Sequence, residues 1–171
     1  ATVAKGYRSG GFNPYASTDN YKSYDEESLI SYELGYKSVF FDNRIKINSS
    51  IYYMDIDDMQ VQIMPTPGTA YMVNAASATS KGIEFDMEAL LSNEITLSSG
   101  FGYNKITFDK FIDGNNDYSG NYNLHAPKYN FNIGVQYRNE LGYYARADIN
   151  GYGKTYFDSA NKYSQKAYEL V

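Results

Sequence analysis

Alternation of apolar and polar residues with a period of two runs through six separate segments of this chain, and it restricts what the chain can fold into more than any other feature. Residues 28–38 place Ile30, Tyr32, Leu34 and Tyr36 on one side and Ser31, Glu33, Gly35 and Lys37 on the other. The same reading holds for 44–54, 82–89, 95–104, 129–137 and 141–149. Period two puts successive side chains on opposite faces of a strand, so these six segments are expected to be β-strands. Helical periodicity is persuasive nowhere. Across the six segments the apolar face has 28 positions with no charge and two serines; the other face has 29 positions and 11 charges. A charge facing lipid at the bilayer midplane costs about 2–4 kcal/mol. A charge-free face therefore fits a lipid-facing surface. Tyr36, Tyr53, Tyr103, Tyr129 and Tyr137 stand at ends of the apolar stripes, where an aromatic girdle belongs.

A soluble β-sandwich also alternates inward and outward residues. The connections help to separate the two. Short turns are expected near Asp42-Asn43, Ser92-Asn93 and Asn139-Glu140, about fifty residues apart, and these should share one rim. Between them lie long polar segments, read as loops over 9–27, 55–79, 109–126 and 150–162. Short turns alternating with long loops are the habit of outer-membrane barrels. Pro14, Pro65, Pro67 and Pro127 are expected in loops or at a strand start, where no ladder hydrogen bond is lost. Mean hydropathy is −0.54, which taken alone would argue for a soluble protein. Alternating strands average out, however, so that index does not count against a barrel. No apolar run approaches the ~18 residues of a spanning helix. No signal peptide is visible and both ends read as strand, so the 171 residues are expected to be a piece of a longer protein.

The remaining composition mainly excludes. There is no cysteine, hence neither a disulfide framework nor a thiolate metal site. The net charge is −5 and the basic residues do not cluster, which argues against nucleic acid as a partner. His125 has no ligand set beside it in sequence. Asp113, Asn115 and Asp117 start like a calcium loop, but Tyr118 stands at the glycine position and Leu124 at the terminal glutamate position, so a plain polar loop is expected. Asp55, Asp57 and Asp58 are read as a solvated loop start. No nucleophile–base set and no phosphate-binding glycine loop appear; neither enzymatic activity nor a cofactor is expected.

The segment Val3-Ala4-Lys5-Gly6-Tyr7-Arg8-Ser9-Gly10-Gly11-Phe12-Asn13 resembles a signature of TonB-dependent receptor barrels. So do Glu26-Glu27-Ser28 with Tyr32 to Ser38, Asn43-Arg44-Ile45 with Tyr52 to Val61, and Asn74-Ala75-Ala76 with Lys81 to Phe85. Ala126-Pro127-Lys128-Tyr129 resembles a later strand start. The resemblance covers most of the chain, and the order and spacing of the motifs are more specific than any one of them. It implies an all-β fold: an antiparallel transmembrane β-barrel segment, about eight strands out of about 22. It further implies a Gram-negative outer membrane, surrounding lipid, a plug domain of the same chain, energy coupling through TonB, and a scarce nutrient, foremost an iron–siderophore complex. The plug, the segment that engages TonB and the last barrel strand are not in this sequence, and residues 1–171 are read as barrel alone.

Ligands of such receptors meet loops and upper lumen walls. Rigid aromatic loop residues are natural contacts, because their rings give area at low entropic cost. Tyr15, Tyr21, Tyr24, Tyr71, Tyr118 and Tyr122 are the candidates, with Arg8 and Asn13, which flank Gly10-Gly11. The competing reading for each tyrosine is loop packing or an upper girdle, and for Arg8 a carboxylate partner in the lumen wall. Two other whole-chain readings remain. One is a complete eight-stranded barrel with a structural or adhesive role, against which the small lumen residues Gly35, Gly82, Gly100, Gly102, Gly134 and Gly142 argue, since such a barrel must fill its own interior. The other is a soluble secreted β-sandwich that binds, for example, glycans. Within the lumen, Lys46 is expected near Glu88 and Asn48 near Asp86, with Arg44 also facing the acidic run Glu84, Asp86, Glu88.

Overall fold

The computed structural model describes residues 1–16, 19–63 and 68–171. Eight strands form one antiparallel sheet in chain order: β1 Thr2–Arg8, β2 Glu27–Phe40, β3 Ile45–Ile63, β4 Tyr71–Leu90, β5 Ile95–Asp113, β6 Tyr129–Arg138, β7 Tyr144–Tyr152 and β8 Tyr168–Leu170. The sheet is not closed. The only helical element among the described residues is a 3-10 turn, Asp19–Tyr21.

All three short turns lie on one rim, as the spacing predicts. Phe41, Asp42 and Asn43 turn the chain with φ of 52°, 52° and 68°. The Ser92 hydroxyl oxygen accepts from the backbone N–H of Glu94 and Ile95, at 3.2 and 3.1 Å. The third turn is longer than an Asn-Glu pair. Asn139 Oδ1 accepts from the Tyr143 N–H at 3.0 Å and Gly142 sits at φ 91°, so β7 begins only at Tyr144. Leu141 and Tyr143, expected on the apolar strand face, belong to this turn instead.

The apolar face exposes Ile30, Tyr32, Leu34, Ile51, Tyr53, Ile83, Phe101, Tyr103, Ile133 and Val135. Large apolar groups exposed in one contiguous panel are what a lipid-facing wall requires. Opposite it, the pairing register sets Lys46 against Glu88 and Asn48 against Asp86, as expected. Some lumen glycines are small because a neighbour covers them: a Cβ on Gly82 would stand 2.6 Å from Cζ of Tyr52, and one on Gly100 2.6 Å from the Asn132 amide nitrogen.

The structure departs from the sequence reading at the far end. Residues 55–63, 71–79 and 109–113, expected in loops, continue β3, β4 and β5. Those strands reach 19, 20 and 19 residues, against the about 9–11 that cross a bilayer. Beyond Tyr53 the alternation persists with its phase inverted. Asp55, Asp57, Thr79, Lys105 and Thr107 now share the outer face, while Ile56, Ala78, Ile106 and Phe108 point inward. The described core lies there: Ile56, Val61, Ile63, Tyr71, Ala76, Ala78, Phe108 and Phe111. There the long connections pack against the inner face, so burial changes sides. The loop placement expected for Pro65 and Pro67 lies outside the described residues.

Candidate functional site

The long connections fold over the inner face of this overhang. Asn13 fastens the first of them: its Nδ2 donates to the carbonyls of Tyr21 (2.7 Å) and Met72 (2.8 Å), and its Oδ1 accepts from the Met72 N–H at 3.0 Å. Tyr21 stacks on Tyr71 with ring centroids 5.3 Å apart, and Tyr71 is buried at 8% exposure. The buried Gln60 amide donates to the carbonyls of Ser9 and Asp25, both at 3.0 Å. The left-handed Asp58 (φ 52°) accompanies the register shift that ends the regular ladder between Ile56 and Met59. Tyr118 packs edge-on against Phe111 at 5.2 Å.

Two features with different chemistry lie at this end. One is a cleft of about 360 Å³ lined by Tyr21, Tyr24, Ile63, Asn74, Ile112 and Asp113, among others. The other is an aromatic platform: Tyr122 and Tyr156 stack at 5.8 Å with an interplanar angle of 19°. Lys128 Nζ lies 3.9 Å from the Tyr122 ring centroid and Lys154 Nζ 4.4 Å from that of Tyr156. Such a platform offers flat contact area and positive charge together. A larger groove, about 910 Å³, lies at the opposite rim between the turn ends around Arg44, Glu94, Arg138 and Glu140, away from the aromatic residues.

The eight sequence candidates divide accordingly. Asn13, Tyr21, Tyr71 and Tyr118 are engaged in holding loops to the sheet. Tyr24 lines the cleft, and Tyr122 forms half of the platform. Tyr15 is 91% exposed, and Arg8 is exposed at the end of β1 opposite Glu27. Sequence reading missed Lys128, Lys154 and Tyr156. Lys128 looked like a strand start, and the other two lie in a segment read only as a polar loop. Each lysine stands within six residues of an aromatic partner, but nothing local in sequence brings the two tyrosines together.

Asp117 serves its own turn. Its Oδ1 accepts from the Ser119 N–H at 2.9 Å, and hydrogen bonds from the Ser119 side chain and backbone hold its carboxyl below the usual range. His125 lies beside Phe157, ring centroids 5.6 Å apart, and no cluster of three metal-ligating side chains occurs among the described residues.

Comparison with known proteins places the whole architecture. A protein-family model described as "TonB dependent receptor-like, beta-barrel" matches residues 1–171. The ferrioxamine receptor of Yersinia enterocolitica is 28% identical over 123 residues, which is 72% of this chain and 16% of that protein. The crystal structure of the ferric yersiniabactin uptake receptor of Yersinia pestis superposes with a TM-score of 0.78 at 25% identity, over 98% of this chain and 25% of that one. A siderophore receptor of Acinetobacter baumannii gives 0.75 at 21% identity, over 98% of this chain and 25% of that one, a likeness of fold. The chain thus spans a quarter or less of the lengths of these proteins. The exposed apolar panel, the single rim of short turns and the antiparallel register all agree with that comparison: the chain belongs to the TonB-dependent receptor β-barrel family.

Proposed function

We propose that this chain forms part of the barrel wall and outer mouth of an active outer-membrane receptor that imports an iron–siderophore complex, energised through TonB. The observation that carries the reading is the aromatic, charged cluster at the loop end of strands that overshoot a lipid-facing panel. Ligand and lipid then meet the same strands at different heights. Among the candidates, Arg8, Tyr15, Tyr24 and Tyr122 act as ligand contacts, joined by Lys128, Lys154 and Tyr156. Asn13, Tyr21, Tyr71 and Tyr118 hold the loops that present them. The ferrioxamine and ferric yersiniabactin receptors named above support iron chelates as the cargo class. A plug within the same chain and TonB on the periplasmic side complete the proposed assembly.

The test is uptake of radioactive iron, presented as a panel of purified ferric siderophores, by iron-starved cells with and without the full-length gene. Loss of uptake of one chelate on deletion, and equal loss without TonB, is the expected result. Unchanged uptake of every chelate would overturn the reading. In the full-length receptor, Tyr122→Ala should weaken binding of that chelate by about 1–2 kcal/mol, the scale of an aromatic contact residue, in a fluorescence-quenching titration.

A further inference from the structure

On the three long strands, ascending the outer face from the short-turn rim, the first charged side chains are Asp55 on β3, Lys81 on β4 and Lys105 on β5; Lys5 on β1 is also outward, level with Asp55. Lys81 and Lys105 are direct cross-strand partners, and the other neighbour of Lys81 is Tyr53. Like charges directly opposed on adjacent strands repel. No ion pair among the described residues offsets this. The ion pairs among the described residues are Lys22–Asp19, Lys46–Glu88 and Arg146–Asp148, and neither lysine takes part in one. Of the nearby carboxylates, Asp55 stands opposite Thr79, one diagonal step from Lys81, and Asp109 accepts from the Thr79 hydroxyl at 2.7 Å.

Height gives the pair its meaning. Each lysine lies about ten residues above its short turn, or about 34 Å along the strand and about 25 Å along the barrel axis at a tilt near 40°. That is the height of the apolar band of an outer-membrane barrel. One pleat below are Ile83 and Tyr103, and Tyr53 stands beside Lys81; all three are exposed. Opposed Cβ atoms about 5 Å apart let two flexible lysine stems converge on one tetrahedral anion.

We infer that Lys81 and Lys105 jointly bind a phosphate of an outer-leaflet lipid headgroup, whose acyl chains lie on the panel of Tyr53, Ile83 and Tyr103. The inference rests on the outer-membrane placement proposed above. A lipid is the occupant, and not a soluble anion, because the cationic pair is continuous with an apolar surface that only acyl chains would cover.

The full-length receptor, delipidated in a neutral detergent, is titrated with bis-phosphorylated lipid A and bound lipid is read by native mass spectrometry. With about fivefold in affinity for each basic residue at an anionic surface, the combined Lys81→Gln and Lys105→Gln variant should bind about thirtyfold more weakly. Arginine at both positions should restore binding, and fully dephosphorylated lipid A should bind the unaltered receptor as weakly as the glutamine variant binds lipid A. Equal affinity in the unaltered and glutamine receptors, both heat-modifiable in electrophoresis and so both folded, would overturn the inference. Displacement of the lipid by millimolar inorganic phosphate would also overturn it, by assigning the pair to a soluble anion. Failure of the membrane placement looks different: the receptor would stay soluble without detergent whatever stands at positions 81 and 105.

Discussion

Ile133 and Asn132 adjoin in sequence and face different media. Ile133 stands midway along β6 on the exposed apolar panel, while Asn132 points into the lumen over Gly100. Arginine at 133 meets hydrocarbon and should destabilise the intact barrel by about 2–4 kcal/mol in urea titrations of lipid-reconstituted receptor. Arginine at 132 meets water and polar neighbours and should cost less than half of that. The reverse order would mean that the faces are assigned backwards. Lys46 and Glu88 make the clearest cross-strand pair on the inner face, 3.1 Å apart, with side chains 56% and 54% exposed. Solvent screening at that exposure keeps the coupling to about 0.2–1 kcal/mol, measurable by a double-mutant cycle. Arg44 does not join them. Its guanidinium turns to the Leu90 and Leu91 carbonyls, at 3.1 and 3.2 Å, and caps the strand end.

At the scale of elements, the sequence is informative wherever one face is predominantly apolar. That rule holds from Ile45 to Tyr53 and from Ile95 to Tyr103, and there the strands, turns and register were all legible. It stops where the apolar panel stops. In Met54-Asp55-Ile56-Asp57 the alternation is still present, but its apolar residues have changed sides, so a search for one continuous stripe ends too early. The left-handed Asp58 then breaks the period altogether. The candidate site was half legible for a related reason. Aromatic loop residues announce themselves, but which of them touch a ligand depends on partners distant in sequence, as with Tyr122 and Tyr156 or Asn13 and Met72. Asn13 offers the test. Asn13→Ala removes three hydrogen bonds, each worth about 0.5–1.5 kcal/mol, and leaves the Met72 groups without that partner. Hydrogen exchange across residues 9–16 and 19–26 should accelerate at least tenfold, with the midpoint of barrel unfolding unchanged. A lowered midpoint would mean that the loop carries barrel stability and not only its own order.

For the whole molecule, the open edges of the sheet matter most. β1 pairs on one side with β2, and β8 on one side with β7. An unpaired strand edge is a template for another chain. Residues 1–171 expressed alone should therefore self-associate in detergent, as read by sedimentation velocity, whereas the full-length receptor should be monodisperse. A monodisperse fragment would show that these edges are protected by means other than barrel closure.

The overhang of β3 and β4 has a consequence for the cell that carries it. In the outer-membrane placement proposed above, with the short turns toward the periplasm, this hairpin stands clear of the lipid, and an antibody or a bacteriophage tail fibre meets it first. Residues 55–63 and 71–79 present a ladder-bonded sheet to them. Escape from such an agent is open to the outward Asp55, Asp57, Ser77 and Thr79, whose side chains can change without touching the core. It is closed to the alternating Ile56 and Ala78, which hold the loops beneath. Antigenic drift on this hairpin should follow every second residue.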